Sequence, residues 1–308
     1  MRIAVIVTTY NRPDALAAVL EGWLAQTDRD FEVLVADDGS TPDTAAVVRH
    51  FQQRAAFPIH HVWQEDDGFR AAAIRNRALA ATTADYIVFT DGDCIPPKDF
   101  VAQQRKLSER GCFLSGNRLL LSPEFTRQVL SEKIPVHLWS LRDWLRARRQ
   151  KHISRLLPLL RLPDSALRKI SPRRWQGAKT CNLSVFREDL LRVNGLDESY
   201  IGWGQEDSDL VVRLIRVGLI NKSARFSAPV LHLWHKENDR SHLEENRRRL
   251  LQVLSATHTR ALKGVDQYQV NKIPLPPEPT AVPSPAGSDD SASSSPDSGS
   301  RTFGGRLR

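Results

Sequence analysis

The apolar positions of the first 110 residues follow two rhythms in turn. Short, largely apolar runs occupy residues 3–9, 31–36, 59–63 and 86–90. Runs of about four to eight residues, bounded by polar turns, predict buried strands. Between them, residues 13–26, 41–54, 71–81 and 98–110 carry apolar side chains at helical spacing. Pro13 suits the first turn of its helix, where a missing N–H costs nothing. Strands alternating with helices predict an α/β fold, with a parallel sheet covered on both faces. Ligands of such sheets bind outside the carboxyl ends of the strands. Three polar clusters sit at such ends: Thr8-Thr9-Tyr10-Asn11-Arg12, Asp37-Asp38-Gly39-Ser40 and Asp91-Gly92-Asp93.

The second half is less regular. Residues 122–174 form a basic stretch with Trp139, Trp144 and several leucines. Residues 177–193 read as a loop, a short strand and a helix. A Gly/Trp/acid loop at 202–209 leads into a helix over 210–217. Residues 229–235 read as a last core strand carrying His232 and His235, and 243–261 as a strongly charged helix. From Pro274 onward Pro, Ser, Gly and Asp dominate, with one aromatic, and such a segment cannot bury a core. The expected organisation is one domain over 1–265, divided at 1–121, 122–174 (a basic helical insertion) and 175–265, with a disordered tail over 274–308.

Composition adds limits. Hydrophobic residues make up 41% of the chain and charged residues 26%, enough apolar material for a core. No apolar run reaches the roughly 18 residues that a membrane-spanning helix needs. The apolar N-terminal run is too short for a signal peptide and lacks a small-residue cleavage site. Cys94, Cys112 and Cys181 show neither a CxxC pair nor zinc spacing. Their odd number fits a reducing cytoplasm better than a disulfide framework. The net charge is +8, and it is local: between 142 and 174, eleven Lys or Arg face two Asp. Trp139, Leu141, Trp144 and Leu145 among these arginines suit a helix lying on an anionic membrane surface. A solvated surface is the plainer alternative. No nucleic-acid motif is present, so nucleic acid is not an expected partner.

Five clusters carry candidate chemistry. Asp91 and Asp93, one residue apart past a buried strand, can hold a divalent cation against a diphosphate, and Gly92 lets the backbone come close. The alternative is a polar turn that caps a helix. Asp38 can accept from a uracil N–H or a ribose hydroxyl, or simply make an Asx turn. Trp203 between Gly202 and Gly204 offers a flat face for a sugar. Glu206, Asp207 and Asp209 follow at a helix start, where acids are favoured anyway. His232 and His235 point to opposite faces of a strand. They share one metal only if the strand ends between them, and His235 is the favoured ligand. Arg75 and Asn76, near a helix start, can meet phosphates; a solvated helix face is the alternative.

Taken together, these pieces resemble the family 2 glycosyltransferases of the GT-A fold. The matching segments are VIVTTYNRP at 5–13, VADDGS at 35–40, FTDGDCIPP at 89–97 and GWGQEDSD at 202–209. The last two, with His232-Leu233-Trp234-His235, look like the branch with a galactosyltransferase-type C-terminal half. Bacterial chondroitin polymerase modules and β-1,4-galactosyltransferases belong to that branch. The resemblance implies that 1–121 binds the nucleotide-sugar and that 175–265 is the acceptor and catalytic half. It places Thr8, Tyr10, Arg12 and Asp38 around base and ribose, and Asp91 and Asp93 at ribose and metal. It makes Asp207 the catalytic base, with Glu206 holding a sugar, and puts Trp203 and Gly204 beneath that sugar. His235 completes the metal shell. The position matching His232 is a Met ligand in the galactosyltransferases, so His232 would be a second imidazole ligand. Such a donor set beside phosphates suits Mn²⁺ better than Mg²⁺. The basic segment 122–174 has no match in those relatives.

The implied reaction moves a hexose or N-acetylhexosamine, with inversion, from a UDP-sugar to a glycan or glycolipid. Asp207 takes the acceptor proton. A carboxylate is a weak base at neutral pH, and burial beside Trp203 and Glu206 would strengthen it. Bacterial surface polysaccharide or lipopolysaccharide synthesis, at the inner face of the cytoplasmic membrane, is the expected setting. Two alternatives remain at this point: a sugar nucleotidyltransferase, and an inactive glycan-binding relative.

Overall fold

The computed structural model describes residues 1–237 and 239–268; the tail expected over 274–308 lies outside them. The first half alternates as its pattern predicts: β1 (Ile3–Thr9), α1 (Pro13–Leu24), β2 (Phe31–Asp37), α2 (Pro42–Arg54), β3 (Ile59–Trp63), α3 (Ala71–Ala81) and β4 (Tyr86–Asp91). Three further strands, β6 (Cys112–Ser115), β8 (Asn182–Phe186) and β9 (Ile220–Ser223), complete a seven-stranded sheet. Its order is β3-β2-β1-β4-β8-β6-β9. The strands carry apolar residues on both faces because both sheet faces are covered. Ile3, Val5 and Val7 of β1 enter one layer of the core, and Ala4 and Ile6 enter the other. β2 divides the same way, with Val33 and Val35 on one side and Leu34 and Ala36 on the other.

The sheet is mostly rather than wholly parallel. β8 runs antiparallel to both neighbours, β4 and β6. The reason lies in the connection. β6 ends at the carboxyl edge, and the chain winds through the basic segment before β8 begins beside Ser115. No crossover carries it back across the sheet, so the strand runs the other way. β6 and β9 escaped the sequence reading because four residues are too few to establish a period. Three helices differ in extent. α4 (Phe100–Leu107) and α9 (Leu243–Ser255) stop early, where Ser108 and Ala256 turn extended. α8 (Glu206–Arg216) begins four residues before 210, so its first turn holds Glu206, Asp207 and Asp209.

A second sheet of three short strands lies over the carboxyl edge. It comprises β5 (Cys94–Ile95), β7 (Arg118–Leu120) and β10 (Val230–His232), in the order β5-β10-β7. Its register sets His232 opposite Cys94, and the Leu233 N–H donates to the Asp93 carbonyl at 2.9 Å. Two residues 140 positions apart in the chain are thereby clamped together.

The basic segment folds as α5 (Pro123–Ser131), α6 (Leu141–Arg149) and irregular chain. Ser140 and Asp143 close a capping box at the start of α6, each bonding the other's backbone N–H. The surface expected for the tryptophans is not where they lie. Trp144 is 5% exposed, and Trp139 stacks between it and Phe125. Apolar area outweighs the charged neighbours in the sequence, and the indoles join the core. Leu141 and Leu145, on the other side of α6, are exposed. Arg168 is also structural: its guanidinium donates to the carbonyls of Leu162, Pro163, Ser223 and Arg225 and to Ser227 Oγ.

Candidate active site

A pocket of about 450 Å³ opens at the carboxyl ends of β1 and β4. Thr8, Tyr10, Arg12, Asp38, Arg75, Asp91, Asp93, Trp203, Glu206, Asp207, His232 and His235 all reach it. Two of the expected residues do not. Asn76 is fully buried and clasps the Leu196 backbone, accepting from its N–H at 2.9 Å and donating to its carbonyl at 2.8 Å. Its neighbour on α3 faces the pocket, so Asn76, one residue on, must face the body of the protein. Gly204, at φ +105°, shapes the turn beneath Leu243 and is not part of the lining.

The Asp37-Asp38 pair divides its work. Asp37 bonds inward: Oδ2 pairs with His61 Nε2 at 2.8 Å and Oδ1 accepts from the Ser40 N–H at 2.8 Å. Asp38 faces the pocket, held by the Arg70 N–H at 2.8 Å and by Gln64 Nε2. Burial pushes its pKa up to about 6, against those donors. Tyr10 hangs at the rim, 46% exposed, with its hydroxyl donating to Asp66 Oδ2 at 2.8 Å.

Beneath the pocket, Arg75 ties three elements. Its Nε donates to Thr8 Oγ1 at 2.9 Å, Nη2 to Asp91 Oδ1 at 3.1 Å and Nη1 to Glu206 Oε1 at 3.3 Å. The guanidinium is 4% exposed, and all three of its nitrogens are engaged by the protein. It therefore holds Thr8, Asp91 and Glu206 together at the pocket wall. Asp91 is raised by burial, with Arg75 opposing. Its side chain keeps 30% exposure, so water screens part of that rise. Deep burial in the acid pair falls on Glu206, not Asp207. Burial first, and the Asp207 charge second, push Glu206 up to about 7, with Arg75 opposing. Its Oε2 is buried without a partner. Gln205, just before it, is held in the left-handed region at φ 80°, which costs about 1–3 kcal/mol for a non-glycine residue.

Across the pocket stands Asp93. Its Oδ2 lies 3.4 Å from His235 Nε2 and 3.7 Å from His232 Nε2. β10 ends at His232, the chain turns, and both imidazoles swing to one carboxylate. The condition for a shared ion, a strand that stops between the histidines, is met. His235 Nδ1 lies 2.7 Å from the Lys236 carbonyl. A carbonyl only accepts, so Nδ1 carries a proton, and Nε2 is the nitrogen that faces Asp93. Burial holds His232 below its usual range, in the neutral form that can ligate. Asp93, Cys94 and His232 offer ligand atoms that all lie within 4.8 Å of one another, which suits a divalent cation, and His235 approaches the same carboxylate. Cys94 adjoins the cluster, its Sγ 3.4 Å from Asp93 Oδ1. Burial raises its thiol well above the ordinary range, so it stays protonated and donates. Only glycine fits at 92, because a Cβ there would lie 2.8 Å from Thr9 Oγ1 and 2.9 Å from Thr9 Cβ.

Three cations escaped the sequence reading. Arg118 on β7, Lys179 and Lys236 line the pocket. Trp203 has Lys179 Nζ at 5.9 Å and Arg240 at 5.1 Å from its ring. Nothing in the spacing of 118, 179 and 236 signals a common site; only the second sheet and the segment entering β8 converge them.

Residues 4–160, just over half of the chain, match the model of glycosyl transferase family 2. The chain belongs to this glycosyltransferase family. Residues 164–236 match a second model, described as the N-terminal domain of galactosyltransferase. Among relatives of family members, validoxylamine A glucosyltransferase of Streptomyces hygroscopicus subsp. limoneus is 32% identical over 70% of this chain and 48% of its own. Chondroitin synthase of Escherichia coli is 26% identical over 72% of this chain and 33% of its own. The chain thus spans between a third and a half of the length of these relatives. Solved glycosyltransferases share the fold. S. aureus TarS superposes with a TM-score of 0.57 at 16% identity, covering 84% of this chain and 40% of its own. The Pyrobaculum calidifontis mannosyltransferase PcManGT, solved with GDP-Man and Mn²⁺, gives 0.53 at 21% identity, covering 82% and 63%.

Proposed function

We propose that this glycosyltransferase is metal-dependent and inverting, taking one hexose or N-acetylhexosamine from a UDP-sugar to a glycan or glycolipid hydroxyl. The observation that carries the reading is the approach of His232 and His235 to the Asp93 carboxylate in the pocket that Glu206 and Asp207 also line. Thr8, Tyr10, Arg12 and Asp38 lie where base and ribose would enter. Asp91 and Asp93 face the diphosphate. Asp93, His232 and His235 would hold Mn²⁺, or Mg²⁺, and a bound cation supplies positive charge against the leaving diphosphate. S. aureus TarS, which shares the fold, has been solved with UDP-GlcNAc, and PcManGT with Mn²⁺.

Asp207 at the pocket mouth takes the proton of the acceptor hydroxyl as that oxygen attacks the anomeric carbon. Glu206, deeper and held by Arg75, directs its unpartnered Oε2 at a sugar hydroxyl. Trp203 lies beneath the sugar ring. The basic segment adds a peripheral contact with an anionic membrane surface, through Leu141 and Leu145 beside Arg142, Arg146 and Arg149. No helix among the described residues is long and apolar enough to cross a membrane.

The test is release of nucleoside diphosphate from a panel of UDP- and GDP-sugars, with Mn²⁺, Mg²⁺ or EDTA, beside Asp93→Ala. Turnover of one donor, lost with EDTA and with the variant, is the expected result and names the sugar. Absence of turnover and of metal-dependent UDP binding would overturn it. Pyrophosphate release would instead favour a nucleotidyltransferase.

A further inference from the structure

A second cleft, of about 190 Å³, lies beside the candidate active site at the same sheet edge. Ser115 and Ser223, the carboxyl-terminal residues of β6 and β9, form part of its floor. That volume is the share of about six liquid waters, enough for an ionised group and its ring. One short segment separates it from the catalytic pocket. Residues 176–178 line the cleft, and residues 179–181 line the pocket. Ala178 and Lys179 are consecutive, with Cα atoms about 3.8 Å apart. A chain leaving the pocket would need to cross only this segment to reach the cleft.

The cleft is positive and has no acid in its lining. Its three arginines differ. Arg168 spends its guanidinium on backbone carbonyls and Ser227, so it builds the wall. Among the described residues Arg174 uses only Nε, on the Gln176 carbonyl at 3.3 Å, and both terminal nitrogens have no partner there. Arg225 is exposed and makes no side-chain hydrogen bond or ion pair among the described residues. Lys179 next door has no ion pair among them either. Two free guanidinium forks in one cleft match planar or tetrahedral oxyanions, which they bind bidentately. Leu167 and Ile170, each 73% exposed, flank them with apolar surface suited to the carbon faces of sugar rings.

We propose that this cleft is an acceptor subsite for an acidic group, phosphate or carboxylate, carried by the glycan one or more units from the hydroxyl that reacts. The inference rests on the glycosyltransferase reading and names the acceptor class: an acidic glycan. Arg174 and Arg225 read the charge, and Lys179 guides the chain between cleft and pocket. The donor pocket, with its own residues, is untouched by changes at 174 and 225.

Calorimetry with two acidic probes tests the proposal, with UDP and Mn²⁺ present throughout to keep the catalytic pocket filled. Tetragalacturonate offers carboxylates, glucose 6-phosphate offers a phosphate that chelates Mn²⁺ only weakly, and maltotetraose is the neutral control. At low ionic strength, one acidic probe is expected to bind wild type and the neutral one not. Arg174→Ala with Arg225→Ala is expected to weaken that binding at least tenfold, and the paired Lys variant to recover part of it. Whichever probe binds separates a phosphate-bearing acceptor from a carboxylate-bearing one. Equal affinity in wild type and the double Ala variant, or no acidic binding at all, would overturn the subsite. UDP release from donor alone, measured on the same preparations, is expected to be unchanged by the double variant. Donor turnover without the binding difference sinks the subsite only; the binding difference without donor turnover sinks the glycosyltransferase reading and leaves an anion site.

Discussion

The two walls of the candidate active site are assembled by different means. On one wall, Thr8, Asp38 and Asp91 stand at the carboxyl ends of three adjacent parallel strands. Each occupies its place because its own strand is buried and stops there. On the other wall, Asp93 meets His232 and His235 only because a three-stranded sheet clamps β5 against β10. Glu206 joins from a helix that Arg75 ties back to Thr8 and Asp91. The first wall is a property of strand order and the second of long-range packing. Damage to the first should therefore act locally, and damage to the second should propagate.

The largest expected effect asks whether the acid pair has two roles. Asp207→Asn is expected to lower sugar transfer by about 10²–10⁴-fold while leaving UDP-sugar binding intact, because only proton transfer is removed. Transfer at the wild-type rate would move the base elsewhere. Next, Arg75→Met tests the tie between the walls. It leaves the buried Glu206 and the part-exposed Asp91 without their cation, and a loss of about 3 kcal/mol of stability is expected in denaturant unfolding. A loss below about 1 kcal/mol would mean that the two walls stand independently.

Glu206 sharpens the comparison through pH. Its folded pKa, about 7, lies above the ordinary 4.5. Its contribution to stability is thus fully present below about 4.5 and is lost as pH rises through 7. Glu206→Gln keeps the neutral form at every pH. Thermal melts are expected to coincide with wild type near pH 4.5 and to favour the variant by up to about 3 kcal/mol at pH 8. Parallel pH profiles for the two proteins would contradict this. The smallest effect on stability concerns the basic segment. Leu141→Asp with Leu145→Asp is expected to change stability by no more than about 0.5 kcal/mol, since both side chains are exposed. The same pair is expected to abolish sedimentation with anionic vesicles; retained binding would place the membrane contact elsewhere.

The legibility of the site follows the same division. Thr8, Asp38, Asp91 and Asp93 could be read from the chain because a buried strand advertises its own end. Glu206 and Asp207 could be read because Gly-Trp-Gly is more than a helix cap needs. Asn76 misled because a helix start near arginines gives no sign of which side faces the body of the protein. Trp144 misled because the surrounding arginines describe the outer side of α6 and say nothing of its inner one. Arg118, Lys179 and Lys236 carry no local mark at all.

The sequence by itself determined the alternation of strands and helices, the places where strands stop, and the kinds of side chain at those places. These are local properties, set by burial period and turn chemistry within a few residues. The tertiary structure alone decided that β8 runs backward, that β10 ends between two histidines beside Asp93, and that Arg75 serves three carboxyl-edge elements at once. Those outcomes depend on contacts between residues up to 140 positions apart, where the gain comes from packing and charge pairing that no short window of sequence contains.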